Sequence, residues 1–400
     1  MRYVVIGGGI AGLTAARRIR ALDPSAEVTV LQEEPVLYYL RPGLISVLAG
    51  EKAIADISPF PREWFERQGI AYRAGVRAAR LVPDRREVEL EGGDVLRYDR
   101  VLLATGAEPF IPPIPGLSPD REGIFALRRA ADAARITAYL ERARRAIVVG
   151  GGLLGLEAAR ALTRRGLSAV VLESRPWLLP RQLDRQGSGV LARALGEVGI
   201  EVRTGAVCRG IPGEGAVAGV ELEGGERVAG EMVLVSTGIV PRTDLARGAG
   251  IGVGRGIVVD DHMATSAPDV LACGDAAEWR GRVYGVVPAA REQAEVAAAN
   301  VVEPGSVRYG GTVPAVRLKV AGVDLLCVGE TQPEGGPHSE ARYADPERGI
   351  YRKFVWDKKG KLVGAIVLGE KAPAVEALVK GGVEAPPILE DLLAGAYPRA

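Results

Sequence analysis

A ten-residue pattern occurs twice in this chain, and it restricts the fold more than any other feature. Residues 3–12 read YVVIGGGIAG and residues 146–155 read AIVVGGGLLG. Each begins as a short apolar strand, turns on a run of glycines and continues into an Ala-, Leu- and Arg-rich stretch of helical character. Each helix then feeds a second β-rich run, Glu27–Leu31 after the first and Ala169–Leu172 after the second. Strands alternating with helices predict parallel sheets covered on both faces. Two such units in one chain predict two dinucleotide sites.

The spacing of the other elements divides the chain. Proline-rich residues 104–116 cannot continue a helix or a central strand, so they read as the crossing from the first unit to the second. A similar strand–Thr–Gly–Pro element at 232–241 reads as the return crossing, after which Gly256–Asp260 and Asp269–Ala272 look like strands of the first unit. Beyond residue 310 short apolar runs alternate with Gly, Pro and charged turns. Asp357–Lys361 there is a good hairpin turn. The expected fold class is therefore α/β, with two Rossmann-like, three-layer dinucleotide-binding domains and a small α+β C-terminal domain. The first domain is expected to be discontinuous, at 1–112 and 243–309, the second at 113–242 and the third at 310–400. A length of 400 residues fits two or three cores rather than one.

Gly7, Gly9 and Gly12 form the first G-x-G-x-x-G. The first glycine permits a tight turn, the second lets backbone approach a pyrophosphate, and the third lets the helix pack on the strand. The amides of Ile10, Ala11 and Gly12, at the helix N-terminus, then face the phosphates. An acidic residue about 20 positions on should accept from a ribose. Glu33, with Glu34 beside it, is the candidate, a solvated carboxylate being the plain alternative. Gly150, Gly152 and Gly155 repeat the fingerprint, with Leu153 and Leu154 opening the second helix and Glu173 and Ser174 closing the second strand. A carboxylate at 173 would repel a 2′-phosphate, which favours NADH over NADPH, although Arg175 stands close enough to blur that preference. A flavin and a nicotinamide are the chemically sensible pair for two such sites, because NADH reduces a flavin directly.

Composition removes other classes. Lys plus Arg number 51 against 50 Asp plus Glu, so the chain lacks the basic excess of a nucleic-acid binder. Cys208, Cys273 and Cys327 are far apart and only two histidines, His262 and His338, are present, which argues against a metal site. No apolar run reaches the roughly 18 residues of a membrane span. The opening strand, Arg2–Ile6, leaves no room for a signal peptide, so a cytoplasmic protein is expected.

Beyond these readings the residues resemble the two-dinucleotide flavoprotein reductases related to glutathione reductase, over nearly the whole chain. The most specific part is Thr265–Ala277, reading TSAPDVLACGDAA, which resembles the family's second FAD fingerprint. The resemblance implies that Gly274 and Asp275 hold the flavin ribityl chain; a plain helix N-cap is the alternative for Asp275. Tyr38–Pro42 resembles the segment that lies along FAD in reductases serving rubredoxin or ferredoxin and in the flavoprotein module of assimilatory nitrite reductase. It implies that Arg41 and Pro42 flank the flavin dinucleotide, with Arg41 facing the pyrophosphate. Arg181–Asp184, Lys319–Asp324 and Tyr351–Val355 point to the same relatives. The resemblance also implies FAD contacts from Val76, Ala104, Thr105, Gly106, Pro288 and Ala289, and NAD contacts from Thr237 and Gly238. Pro288–Ala290 open a helix whose N-terminus would face the flavin pyrimidine, with Glu292 and Gln293 as weaker contacts. Glu157 would approach the nicotinamide; a carboxylate favoured by the helix dipole is the alternative. Residues 36–50 hold no cysteine, so thiol chemistry is set aside and electrons are expected to leave from the flavin itself.

These readings lead to a reductase that carries electrons from NADH through FAD to a small redox protein, rubredoxin or ferredoxin. The alternatives are the flavin subunit of a larger nitrite-reductase or oxygenase system, an NADH oxidase, or a non-catalytic nucleotide sensor. A metal-containing oxidase or reductase subunit is the other kind of partner, and monomer and homodimer are both open. The clusters Arg128–Arg129, Arg142 with Arg144–Arg145, and Arg164–Arg165 could attract an acidic carrier, solvated helix faces being their plainer explanation.

Overall fold

The computed structural model describes residues 1–320, 322–333 and 337–397. Ala321, inside the Lys319–Asp324 motif, lies outside the described residues, as do 334–336 and 398–400 of the expected third domain. The chain divides into two compact units, one of Met1–Leu44, Lys52–Glu108 and Ile239–Thr312, the other of Ile45–Glu51, Pro109–Gly238 and Val313–Ala400.

The first unit is built on five parallel strands in the order Val270–Ala272, Arg100–Leu103, Arg2–Ile6, Glu27–Gln32, Ile70–Ala74. Val5, Val30, Val101 and Leu103 are wholly buried, as expected of parallel strands covered on both faces. The helix Ile10–Leu22 buries Ala11, Ala15, Ala16 and Ile19 on one face and packs against the helix Val287–Val302. Small alanines let two helices approach closely, and fully burying Ile19 contributes about 1.5–3 kcal/mol. Pro24 stops the helix, because proline cannot continue it. An antiparallel ribbon of Ala78–Val82, Glu87–Leu90 and Val95–Arg97 completes the unit's larger β structure. Of the two strands expected after the return crossing, Val270–Ala272 extends the main sheet. Ile257–Val259 instead pairs with Ala277–Trp279 in a separate ribbon, with Val258 exposed between two buried neighbours.

The second unit repeats the plan with strands Ile200–Thr204, Ser168–Glu173, Arg145–Val149, Met232–Val235 and Ile124–Ala126. The duplication extends to register: Ile6 faces Leu31 as Val149 faces Leu172. The same unit contains a five-stranded antiparallel sheet in the order Ala315–Val320, Val323–Gly329, Leu362–Leu368, Ile350–Trp356, Ser339–Asp345. Leu326, Phe354, Val367, Val375 and Leu378 form its core with the helix Pro373–Gly381. The expected hairpin turn is present: Asp357 Oδ1 accepts from the amides of Lys359 and Lys361, at 2.8 and 3.0 Å. The α/β class with a C-terminal sheet domain is thus the observed architecture.

Candidate functional site

Each glycine turn has the same internal geometry. Gly7 and Gly150 both have φ of +113°, a region that side chains avoid. A Cβ on Gly7 would overlap the Ala104 carbonyl, and one on Gly150 the Ser236 carbonyl, each at the end of the neighbouring central strand. A Cβ on Gly12 or Gly155 would overlap the carbonyl of Gly7 or Gly150, so each helix is seated directly on its own turn. Gly9 and Gly152 differ: a Cβ there would meet nothing within 4 Å. These two are the helix N-caps, without a side chain to accept from the first-turn amides. Each unit therefore has an open space in front of unpaired helix-terminal donors, a cradle that fits a pyrophosphate.

The middle glycine of each turn is clamped through both backbone groups. In the second unit, Gly151 N–H donates to Glu173 Oε2 at 2.9 Å and its carbonyl accepts from Leu179 N–H at 3.1 Å. Glu173 is 7% exposed, and its other oxygen accepts from Arg175 N–H at 2.8 Å and from the Ser174 hydroxyl at 3.4 Å. In the first unit, Gly8 N–H donates to Gln32 Oε1 at 3.1 Å and the Tyr72 hydroxyl donates to its carbonyl at 3.1 Å. Gln32 and Glu173 each follow the leucine in register with the strand end before the turn, so Gln32, not Glu33, is the counterpart of Glu173. Sequence reasoning sought a carboxylate and passed over this amide; counting register from the strand pairing would have found it. Glu33 is half-buried and takes Arg242 Nη1 at 2.6 Å and Arg77 Nε at 3.7 Å. Glu34 accepts from the Tyr39 hydroxyl at 2.8 Å and lies 3.4 Å from Arg41 Nη2. Val76 N–H donates to the Gln32 carbonyl at 2.9 Å, which places it beside the strand end.

Arg41 and Pro42 lie in a short 3-10 turn, Arg41–Gly43, next to the helix Leu44–Leu48. Ala104, Thr105 and Gly106 follow the strand Arg100–Leu103, and Thr105 Oγ1 donates to the Arg242 carbonyl at 2.7 Å. Five residues on in each crossing the bond is mirrored: Thr237 Oγ1 donates to the Phe110 carbonyl at 2.6 Å, beside Gly238. The N-cap alternative for Asp275 fails. Asp275 sits inside the 3-10 turn Gly274–Ala276, which leads into the strand Ala277–Trp279, so no long helix begins there to be capped. Gly274 N–H donates to the buried Gln293 Oε1 at 2.9 Å. Pro288 and Ala289 occupy the first turn of Val287–Val302, as the sequence implied.

Glu157 lies in the helix Leu153–Arg164, half-buried, and desolvation pushes its carboxyl up to about 7. The three cysteines are free and buried; burial pushes the Cys273 thiol up to about 12 and raises those of Cys208 and Cys327. Thiols held protonated in this way are poor nucleophiles. Within the arginine clusters, Arg142 pairs with Glu122, Arg145 with Glu201 and Arg164 with Glu51, so part of their charge is neutralised.

Residues 1–294 match the family described as pyridine nucleotide-disulphide oxidoreductase. The chain belongs to that family. FAD and NAD(H) are that family's cofactors. Residues 314–380 match a second family, the C-terminal domain of rubredoxin NAD+ reductases. The chain is 33% identical to a nitrite reductase [NAD(P)H] of Bacillus subtilis (strain 168), over 93% of this chain and 46% of that protein. It spans less than half of that relative's length. It is 29% identical to the NADH-rubredoxin oxidoreductase of Clostridium acetobutylicum, over 92% of this chain and 91% of the relative. The crystal structure of an NADH:rubredoxin oxidoreductase from the same organism superposes with a TM-score of 0.76 at 27% identity, covering 98% of this chain and 95% of that one. No helix among the described residues is long and apolar enough to cross a membrane.

Proposed function

We propose that this chain is an NADH-dependent flavoprotein reductase that passes electrons to a small redox protein such as rubredoxin or ferredoxin. The observation that carries the reading is the pair of glycine turns with matching geometry, each with an open cradle at a helix N-terminus. In the first unit Gly7, Gly9, Ile10, Ala11 and Gly12 would hold the FAD pyrophosphate, with Glu33, Glu34, Arg41, Pro42, Val76 and 104–106 around the dinucleotide. Gly274, Asp275, Pro288 and Ala289 would serve the flavin end. In the second unit Gly150, Gly152, Leu153, Leu154 and Gly155 would hold NADH, with Glu173 and Ser174 at the ribose and Glu157, Thr237 and Gly238 toward the nicotinamide. When bound, FAD supplies the chemistry that the protein lacks, accepting a hydride from NADH and releasing electrons singly.

What the chain's own residues do is bind, orient and repel. The buried Glu173 carboxylate disfavours a 2′-phosphate and so selects NADH. Glu157, with its carboxyl near 7, is protonated in about half of the molecules at neutral pH, so it carries less than a full buried charge there. The carrier reading draws support from the rubredoxin-reductase C-terminal match and from the Clostridium relative. A second reading, the flavin part of a larger nitrite-reductase or oxygenase system, is favoured by the relative that is more than twice as long. Direct NADH oxidase activity is a third. Three unpaired cysteines are in keeping with a reducing compartment such as the cytoplasm. Steady-state reduction of rubredoxin and ferredoxin by NADH tests the proposal. Rates no better than with oxygen alone would rule out the carrier, and co-purification of a metal-containing subunit would favour the second reading.

A further inference from the structure

Two of the motifs behind the family resemblance, Arg181–Asp184 and Tyr351–Val355, have no part in the proposed contacts, yet they meet in the second unit. Asp184 caps the helix Arg185–Glu197 by accepting from Gly187 N–H at 3.0 Å. The same carboxylate accepts from the Tyr351 hydroxyl at 2.5 Å and lies 3.3 Å from Arg342 Nε and 3.7 Å from Lys353 Nζ. Lys353 is 3% exposed and also pairs with Glu340 at 2.8 Å. The Tyr351 ring is wholly buried against Gly187, where even a Cβ would crowd it. Burial by itself would raise the Asp184 carboxyl, but the Gly187 amide, Tyr351, Lys353 and Arg342 outweigh it and hold the group below its usual range. The loop before Asp184 is gripped as well. Thr331 Oγ1 donates to the Gln182 carbonyl at 3.1 Å, and Gln332 Nε2 donates to those of Pro180 at 3.1 Å and Leu183 at 2.6 Å.

From this loop the contacts run to the glycine turn. The amides of Gln182 and Leu183 both donate to the Leu179 carbonyl, at 2.8 Å. Leu179 has φ of +50°, a conformation unfavourable for any residue with a branched side chain and kept only where the surroundings impose it. In that conformation its N–H reaches the Gly151 carbonyl. Leu178 fills the space where a Gly151 side chain would stand, and its N–H donates to Ser188 Oγ at 2.8 Å. The Gly151 peptide is thus held from one side by Glu173 and from the other by a loop that the C-terminal sheet grips.

We infer that the C-terminal sheet is a positioning element for dinucleotide binding in the second unit, with Tyr351, Lys353 and Gln332 acting through the 177–184 loop to fix the Gly151 peptide. The inference rests on reading the second glycine turn as the NADH site. Its physical basis is preorganisation: amides already held in the orientation that a pyrophosphate needs do not have to be ordered when it binds. The sheet would then serve the nicotinamide cofactor from a distance, in addition to any part it has with an electron acceptor.

The test uses the full FAD-loaded chain. Tyr351→Phe keeps the ring on Gly187 and removes only the hydroxyl; Gln332→Leu removes the hydrogen bonds to the Pro180 and Leu183 carbonyls of the loop without touching Tyr351. NADH KM and kcat are measured with ferricyanide as acceptor, and the NAD+ dissociation constant by calorimetry. For both variants NADH KM and NAD+ Kd are expected to rise about three- to tenfold, with kcat at saturation and FAD content within about twofold of the parent. Glu376→Gln, in the same domain but paired with Arg317 and Lys380, is expected to change neither. An unchanged NAD+ Kd in both variants, with only a lower melting temperature, overturns the inference. Glu173→Ala separates the two failures. If it weakens NAD+ binding while the sheet variants do not, the positioning role alone falls; if it has no effect, the assignment of NADH to this turn falls and takes the inference with it.

Discussion

Replacing Gly152 by alanine isolates ligand binding from folding, because Gly152 stands over open space. Its backbone, at φ −81° and ψ 178°, is extended and open to any residue, and an added Cβ meets no atom within 4 Å. Alanine is a poorer N-cap than glycine, but it also narrows the unfolded ensemble by about 0.4–1 kcal/mol. The two effects nearly cancel, so stability is expected to move by less than about 1 kcal/mol. With a dinucleotide over the turn, the methyl group takes the space next to the first-turn amides. Loss of one charge-assisted hydrogen bond there costs about 1.5–3 kcal/mol, which is about ten- to 150-fold in affinity. Calorimetry with NAD+ reads the affinity, thermal denaturation the stability, and flavin absorbance the FAD content. Gly155→Ala is the contrast: its Cβ overlaps the Gly150 carbonyl, so folding and binding should both suffer. The reasoning is refuted if Gly152→Ala, folded and FAD-loaded, binds NAD+ within about twofold of the parent, or if it loses as much stability as Gly155→Ala.

Glu173→Gln copies the arrangement found at Gln32, keeping an acceptor for Gly151 N–H while removing the charge. The preference for NADH over NADPH in kcat/KM is expected to fall about tenfold with the turn intact, and an unchanged ratio would show that Glu173 does not set it. The Glu157 carboxyl, at about 7 in the folded chain against the 4.5 of an ordinary glutamate, keeps its proton across a window in which the unfolded chain has lost it. Stability should therefore fall as pH rises from about 4.5 to about 7, by on the order of 3 kcal/mol, and Glu157→Gln should flatten that slope. Equal urea midpoints at pH 5 and pH 8 in the parent would count against it. Because all three thiols are buried, iodoacetamide at neutral pH should leave ferricyanide reduction by NADH unchanged in the folded protein; inactivation that follows alkylation of Cys273 would reopen a thiol mechanism.

Much of the fold was legible because its signals are local. A strand, a positive-φ glycine and a helix lie within ten residues at 3–12 and again at 146–155, and steric limits on φ leave little freedom in how such a stretch folds. The hairpin at Asp357–Lys361 was readable for the same reason. The candidate site was legible only in part. Glycines could be named from spacing, but the residue facing Gly8 could not, since a chemical expectation of a carboxylate pointed past Gln32 to Glu33. For Asp275, named from the family resemblance as a flavin ligand, the plain alternative of a helix cap could not be set aside from sequence, because the short turn that returns to a strand was invisible without the sheet.

The amino-acid sequence by itself determined that the chain has two strand–glycine–helix units and no cysteine in residues 36–50. Those properties depend on residues close along the chain, or simply on which residues are present. Only the tertiary structure decided which side chains hold the turns. Tyr351 reaches Asp184 across 167 residues, and Gln332 reaches Leu183 across 149. Such partners are set by how one sheet packs on another element's loop, and no local propensity encodes that register. The buried Lys353 makes the same point: in sequence it is one more surface-type cation, and in the fold it is a charge tied to Asp184 and Glu340, two partners that offset the cost of its burial.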